Sequence, residues 1–254
     1  MEIRKVELDI SKTLEENAEM YYEKAKKLKS KVRGAEEIIE KTKRKLENLK
    51  EKKTVFLKKK KVKEEERKKE WYEKFRWFFS SSGFLCIGGR DATTNDIIVK
   101  KHADKGDLVF HTQMAGSPFF IIKAEGKKVD EETKEEAAQA TASYSKAWKE
   151  GIGSAEVYCI NPEQVKKELG LPKGSFMIHG QREYFKPELS VAVGFTDMII
   201  GGPVSAIIKR TNKYVVLKQG YKKSGEIVKF IKKKIGGSED EIQKFVPAGG
   251  SSIK

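Results

Sequence analysis

The sequence predicts an α+β protein: a long N-terminal coiled-coil helix arm, followed by a mixed, largely antiparallel sheet domain with flanking helices. Three observations predict it. The 254 residues are 38% hydrophobic and 36% charged, too lean in apolar side chains for one compact globule, so charge must be concentrated in a part without a conventional core. Residues 1–79 hold 26 Lys+Arg against 17 Asp+Glu, no proline and one glycine, Gly34, which sets them apart from the glycine-punctuated remainder. Beyond residue 79, short strand-like and helix-like runs alternate.

The arm comes first. From Leu14, steps of four and three residues land on Ala18, Tyr21, Ala25, Leu28, Val32, Ala35, Ile39, Thr42, Leu46 and Leu49, then on Lys53 and Phe56. That is the a/d repeat of a coiled coil, and charge alone would not space apolar residues so regularly. Ser11 or Thr13 with a downstream glutamate supplies the N-cap. At about 1.5 Å per residue, a helix over 14–56 is roughly 65 Å long. The seam dissolves in "LKKKKVKEEERKK", where pairing ends or the chain reverses, and the alternative to pairing is a helix that folds back on itself at residues 52–54. Such an uncovered seam calls for a second copy of the chain or a partner helix. Apolar character returns at "EWYEKFRWFF", whose aromatics read as core at the joint, with RNA stacking as the alternative.

The globular part follows. Strand-like runs cover 84–87, 107–112, 118–124, 155–160, 175–179, 191–195 and 214–218. Helix-like runs cover 96–101, 131–149, 162–168, 204–209, 226–234 and 239–245. The chain is therefore read as an arm (1–79), a sheet domain (80–196) and a small C-terminal α/β appendix (197–254).

Charge points to the partner. The formal net charge is +15, an excess that favours a polyanion, nucleic acid first and an anionic membrane second. No apolar run approaches the ~20 residues of a membrane span, and "MEIRKVELDI" lacks the apolar core of a signal peptide. Cys86 and Cys159 sit in apolar runs and read as buried free thiols. The expected location is the cytoplasm.

Enzyme chemistry finds little support. "GGRDATTND" after the 84–87 run is a glycine turn between strand and helix, but it matches neither G-x-x-x-x-G-K-[ST] nor G-x-G-x-x-G. His102, His111 and His179 are far apart, without cysteines or carboxylates at zinc-ligand intervals. "GSF" and "GSP" lack the G-x-S-x-G frame, and "SYSKAW" lacks the motifs that accompany S-x-x-K. No cofactor or metal is expected.

Cations at element ends are the better signal. Arg90 and Asp91 leave a strand end, with Asn95 in the next turn. Lys100 and Lys101 close the following helix, Lys146 and Trp148 sit at another helix end, and His179 and Arg182 flank a polar corner. Singly, each cation is an ordinary solvated surface charge. Their repetition at element ends favours phosphate contact, and glycines there let a backbone approach a ligand.

These residues resemble a known family. "WYEKFRWFFSSSGFLCIGGRDATTNDIIVKK", "KGDLVFHTQMAGSPFFIIK", "SYSKAW", "PEQV" and "GSFMIHGQREYF" occur in the order of the RNA-binding (R) domain of the NFACT family. This family comprises the nuclear export mediator factor and RqcH-like ribosome quality control proteins. "VELDISKTLEENAEMYYEKAKKLKSKVRGAEEIIEKT" resembles the coiled-coil segment leading into that domain, and "GGPVSAIIKRTNKYVVLKQG" resembles the C-terminal stretch of archaeal members. The family's N-terminal domains and the first helix of its hairpin have no counterpart in these residues. The chain is thus expected to be a fragment or a stand-alone short relative.

The resemblance implies ribosome-associated quality control. Members bind the large subunit carrying a stalled peptidyl-tRNA, and some recruit aminoacyl-tRNA to extend the nascent chain without a template. It implies tRNA, large-subunit rRNA and ribosomal proteins as partners, and no catalysis. Arg90, Asp91 and Asn95 would form an RNA-facing loop, with His111, Lys146, Trp148 and Arg182 nearby; Lys100, Lys101 and His179 join the expected RNA contacts from the charge pattern alone. The alternative is a protein-interaction adaptor whose coiled-coil arm recruits a partner.

Overall fold

The first helix begins where Thr13 and Glu16 cap each other: Glu16 N–H donates to Thr13 Oγ1 at 3.2 Å, and Thr13 N–H to Glu16 Oε2 at 2.8 Å. Thr13, not Ser11, is the cap. Asn17, 3% exposed, fixes the entry by donating to the carbonyls of Asp9 and Thr13, both at 2.9 Å. The computed structural model describes residues 6–65 and 69–254, with 51–65 described by backbone alone. The chain divides into two units, Met1–Lys69 and Glu70–Lys254.

In the first unit, helix α1 (Leu14–Glu65) runs 52 residues without reversing at 52–54. Its length follows from a stretch free of proline, rich in Lys, Glu, Ala and Leu, and laced with i,i+4 pairs such as Glu40–Arg44 at 3.1 Å. Leu14, Leu28, Val32, Ile39, Leu46 and Leu49 of the seam are all more than half exposed. The side chains of Lys53 and Phe56 lie outside the described residues.

The second unit opens with a single 3-10 turn at Trp71–Lys74. Its elements are β1 (Arg76–Phe79), β2 (Leu85–Gly88), α2 (Ala92–His102), β3 (Leu108–Thr112), β4 (Phe120–Ile122), α3 (Glu131–Ser143), α4 (Lys146–Glu150), β5 (Val157–Ile160), β6 (Val165–Lys166), β7 (Met177–Ile178), β8 (Glu183–Phe185), β9 (Val191–Phe195), β10 (Ile199–Gly202), α5 (Val204–Ile208), β11 (Tyr214–Lys222), α6 (Ser224–Ile235), α7 (Glu239–Gln243) and β12 (Ser251–Ile253). A six-stranded sheet has the order β1-β2-β4-β3-β5-β8 and a four-stranded sheet the order β10-β9-β11-β12, with β6-β7 a separate ribbon. Neighbouring strands pair antiparallel in all three sheets.

Packing explains the layers. Ala137, Ala138, Ala140 and Ala142 are fully buried, so α3 lies close on β3, β4 and β5. On α6, Ile227, Val228, Ile231 and Ile235 form one apolar stripe against the four-stranded sheet, with Lys229, Lys232, Lys233 and Lys234 outside it. Phe75, Trp77 and Phe78 are buried in this core, and only Trp71 stays open, stacked on His102 at 4.6 Å. Glu136, 3% exposed, accepts from Ser81 N–H at 2.8 Å and Ser205 Oγ at 2.6 Å, joining the β1–β2 turn to α5. Cys86 and Cys159 are free and buried; burial pushes the Cys159 thiol up to about 12.

Several elements differ from the sequence reading. "RWFF" is a strand, not the end of the arm. The run 131–149 is two helices, because Ser145 breaks off to cap α4, its hydroxyl accepting from Ala147 N–H at 3.2 Å. The run 162–168 is a 3-10 turn followed by β6, since Val165 pairs with Ile178.

Candidate nucleic-acid interface

The turn at 88–91 is built by two close approaches. A Cβ on Gly88 would stand 2.4 Å from the Phe120 ring, and one on Gly89 would stand 1.8 Å from Asn95 Oδ1. Packing alone therefore requires both glycines. Asp91 then caps α2, its carboxylate accepting from Thr94 N–H at 2.8 Å; that bond holds its pKa below the usual value against the raising effect of burial.

Asn95 is buried, donating to Ser117 O at 3.3 Å and accepting from Phe119 N–H at 3.1 Å. It tethers the loop before β4 from the inner side of the turn, with 8% of its surface left open, so its amide serves the fold first. Trp148 corrects the sequence reading. It is 1% exposed, and its Nε1 donates to Gly250 O at 3.0 Å and Ser251 Oγ at 3.3 Å, so it anchors β12 instead of meeting a base.

Around the turn lies a cleft of about 450 Å³. Its walls are the 115–119 loop and the tip of the β6–β7 ribbon at 173–176, and its floor carries Arg76, Arg90, His111, Tyr144 and Tyr158. Three cations line it, Arg76, Arg90 and Lys173, against one carboxylate, Asp91. The tip is held to α2 because Gly174 N–H donates to Asp96 Oδ1 at 3.1 Å, and Lys167 lies 3.6 Å from the same oxygen.

Arg90 is held by backbone: its Nη2 donates to Phe75 O at 2.7 Å, while Nε is buried without a partner. Arg76 donates from Nη1 to Lys244 O at 3.2 Å and lies with its guanidinium carbon 4.1 Å from the Tyr144 ring centre. Burial pulls both arginine pKa values below the usual range. The Tyr144 hydroxyl, pushed up to about 12 by burial, donates to Phe245 O at 2.9 Å. His111 stacks on Phe119 with ring centres 4.2 Å apart, and burial lowers its pKa to about 4 against the raising effect of the Thr112 and Ser117 carbonyls. At neutral pH it is an uncharged ring.

The other sequence candidates divide. Lys146 and Arg182 border the cleft. The Lys146 backbone N–H donates to Gly116 O at 3.1 Å, and the Arg182 guanidinium lies 4.7 Å from the Tyr158 ring centre. Lys100, paired with Asp96 at 2.6 Å, and Lys101 lie two turns along α2 from the cleft. His179 is at the far end of the ribbon, 3.5 Å from Glu168, and does not line it. Sequence reasoning missed Arg76, Tyr144, Tyr158, Lys173 and Phe176. The available signals were an arginine opening the "RWFF" strand and a lysine in the glycine loop "PKGSF".

Comparison with known proteins places this region. The family model described as the NFACT protein RNA binding domain matches residues 74–180. The archaeal Rqc2 homolog aRqcH of Methanocaldococcus jannaschii is 44% identical over 197 residues, covering 72% of this chain and 29% of the relative. The ribosome quality control complex subunit NEMF of Homo sapiens is 34% identical over 190 residues, covering 71% of this chain and 17% of the relative. The chain thus spans under a third of these two relatives' length. The solved C-terminal part of the fibronectin/fibrinogen-binding protein from Streptococcus suis gives a TM-score of 0.42 at 22% identity over 48% of each chain. On the sequence identity to its relatives and the matched RNA-binding span, the chain belongs to the NFACT family.

Proposed function

We propose that this chain is an RNA-binding component of ribosome-associated quality control, binding tRNA and/or the large ribosomal subunit at stalled nascent chains without catalysing a reaction. One observation carries the reading. Every residue lining the cation-rich cleft, from Arg76 to Phe176, falls inside the span that matches the RNA binding domain. The names of the relatives, an archaeal Rqc2 homolog and the animal ribosome quality control complex subunit NEMF and its homolog, support this setting, with the cytoplasm as the proposed location. No helix among the described residues is long and apolar enough to cross a membrane. The exposed seam of α1 supports a second partner, a helix or another copy of the chain, on the arm.

Salt titration tests the RNA reading. Each lysine or arginine that neutralises a phosphate releases counterions, so the log–log slope of affinity against salt is about −0.7 per phosphate on a single strand. Labelled tRNA titrated at several salt concentrations should bind tightly at low salt and weaken steeply. A flat profile, or no binding at low salt, removes RNA and leaves the adaptor reading.

A further inference from the structure

The cleft contains two half-buried arginines, and no carboxylate is hydrogen-bonded to either of them among the described residues. The groups that hold Arg90 are the carbonyls of Phe75 and Glu73, and those that hold Arg76 are the Lys244 carbonyl and the Tyr144 ring. Carbonyls and a ring face orient a guanidinium but leave its charge in place. Asp91, the one carboxylate lining the cleft, acts on Arg90 through space while its oxygens accept from the first turn of α2. His111 is neutral, and Lys173 at the rim adds a third positive charge. Two like charges in one cleft repel: burial lowers the Arg76 pKa, and Arg90 lowers it further in this way. An arrangement that fixes two guanidinium groups on backbone carbonyls and a ring face, with Asp91 as the single acid acting on Arg90, keeps an excess of positive charge and is preorganised for an anion.

From this geometry we infer that Arg76 and Arg90 form a pocket for one phosphate group of an RNA strand, taken from a single-stranded segment or a chain end and not from a duplex. The inference rests on the RNA-binding reading above and adds its substrate form. Planar guanidinium forks match the tetrahedral oxygens of a phosphate, and two of them can hold one group from two sides. The walls select the strand. Duplex phosphates lie on a convex surface, whereas this site is recessed between the 115–119 loop and the 173–176 ribbon tip. A flexible single strand can turn a phosphate inward there, and the rings of Phe119, Phe176 and Tyr158 offer its sugar or base an apolar wall.

The test uses the full chain at one fixed salt concentration. A labelled single-stranded oligoribonucleotide, the matched RNA duplex and inorganic phosphate are titrated against wild type, Arg76→Gln and Arg90→Gln. Melting temperatures check that each variant folds. The pocket predicts that either substitution weakens single-strand binding about tenfold or more, as for a lost charge-assisted hydrogen bond, and changes duplex binding by less than about twofold. A folded variant with unchanged single-strand affinity overturns it. So does a duplex bound as tightly as the single strand, or inorganic phosphate bound as tightly as the oligonucleotide. Where the glutamine variants fail to fold, the wild-type arginine Nε–H resonances decide. They shift on adding the single strand if the pocket is occupied, and stay in place if it is not. Full tRNA binding with unmoved arginine resonances removes the pocket alone, whereas loss of all tRNA binding at low salt removes the RNA reading beneath it.

Discussion

Replacing Trp148 by phenylalanine keeps an aromatic ring in the core and removes one N–H. That N–H serves Gly250 O at 3.0 Å and Ser251 Oγ at 3.3 Å. Gly250 O keeps a second donor, Gly220 N–H at 3.3 Å, but fully buried Ser251 loses a partner. An unmet buried polar group costs about 1–3 kcal/mol. The smaller ring also leaves a void, so the total is roughly 2–4 kcal/mol. For a unit of this size each kcal/mol is about 2–4 °C, so the melting temperature of Trp148→Phe should drop by roughly 5–15 °C. Because Trp148 is 1% exposed, tRNA affinity per folded molecule should not change. Differential scanning calorimetry and a tRNA titration below the melting range measure the two quantities. An unchanged melting temperature with a tenfold loss of RNA affinity would mean that Trp148 faces RNA and that this reasoning is wrong.

Gly89→Ala puts a methyl group where Asn95 Oδ1 already sits, 1.8 Å away, and should destabilise by about 1–3 kcal/mol or more in urea unfolding; a change below a few tenths would show that the turn is loose. His111 is held neutral, its pKa about 4 against the ordinary 6.5, so between those values the unfolded chain binds more protons. The stability it contributes is complete above about pH 6.5 and is lost as pH falls towards 4, by roughly 3 kcal/mol at most, and His111→Gln should flatten that slope in pH-dependent unfolding. On the arm, Leu28→Asp with Ile39→Asp should abolish any concentration-dependent association seen by sedimentation equilibrium. A wild type that stays monomeric at every concentration argues against pairing through the seam.

The arm was readable from sequence because a period of three and four over many turns has one physical solution, a helix with an apolar stripe, and α1 follows it from Leu14. Buried strands such as β3 and β9 were readable as continuous apolar runs. The strands missed were short or at an edge. β8 is "EYF", and β12 is "SSI", whose two serines carry no apolar pattern. β1 was hidden because its aromatics looked like the end of the arm. Local sequence also showed the strand–turn–helix of 84–96, but it started the helix at 96 and read Asp91 as facing RNA, whereas Asp91 caps a helix that begins at Ala92. The sequence could not show that Asn95 reaches across to Phe119, or that Lys173 comes to lie beside Arg76 and Arg90, since these contacts join residues far apart in the chain. Polar residues at a turn divide into outward and inward ones only when the tertiary fold is known, which is why Arg90 and Asn95 looked alike.

Photocrosslinking of the full chain to tRNA, followed by mass spectrometry of the crosslinked peptides, tests the central claim most directly. If the cleft is where RNA sits, crosslinks concentrate on its two walls, residues 115–119 and 173–176, with none on Trp148. Crosslinks confined to the lysine face of α6 or to the arm, with those two walls unmarked, would contradict the account.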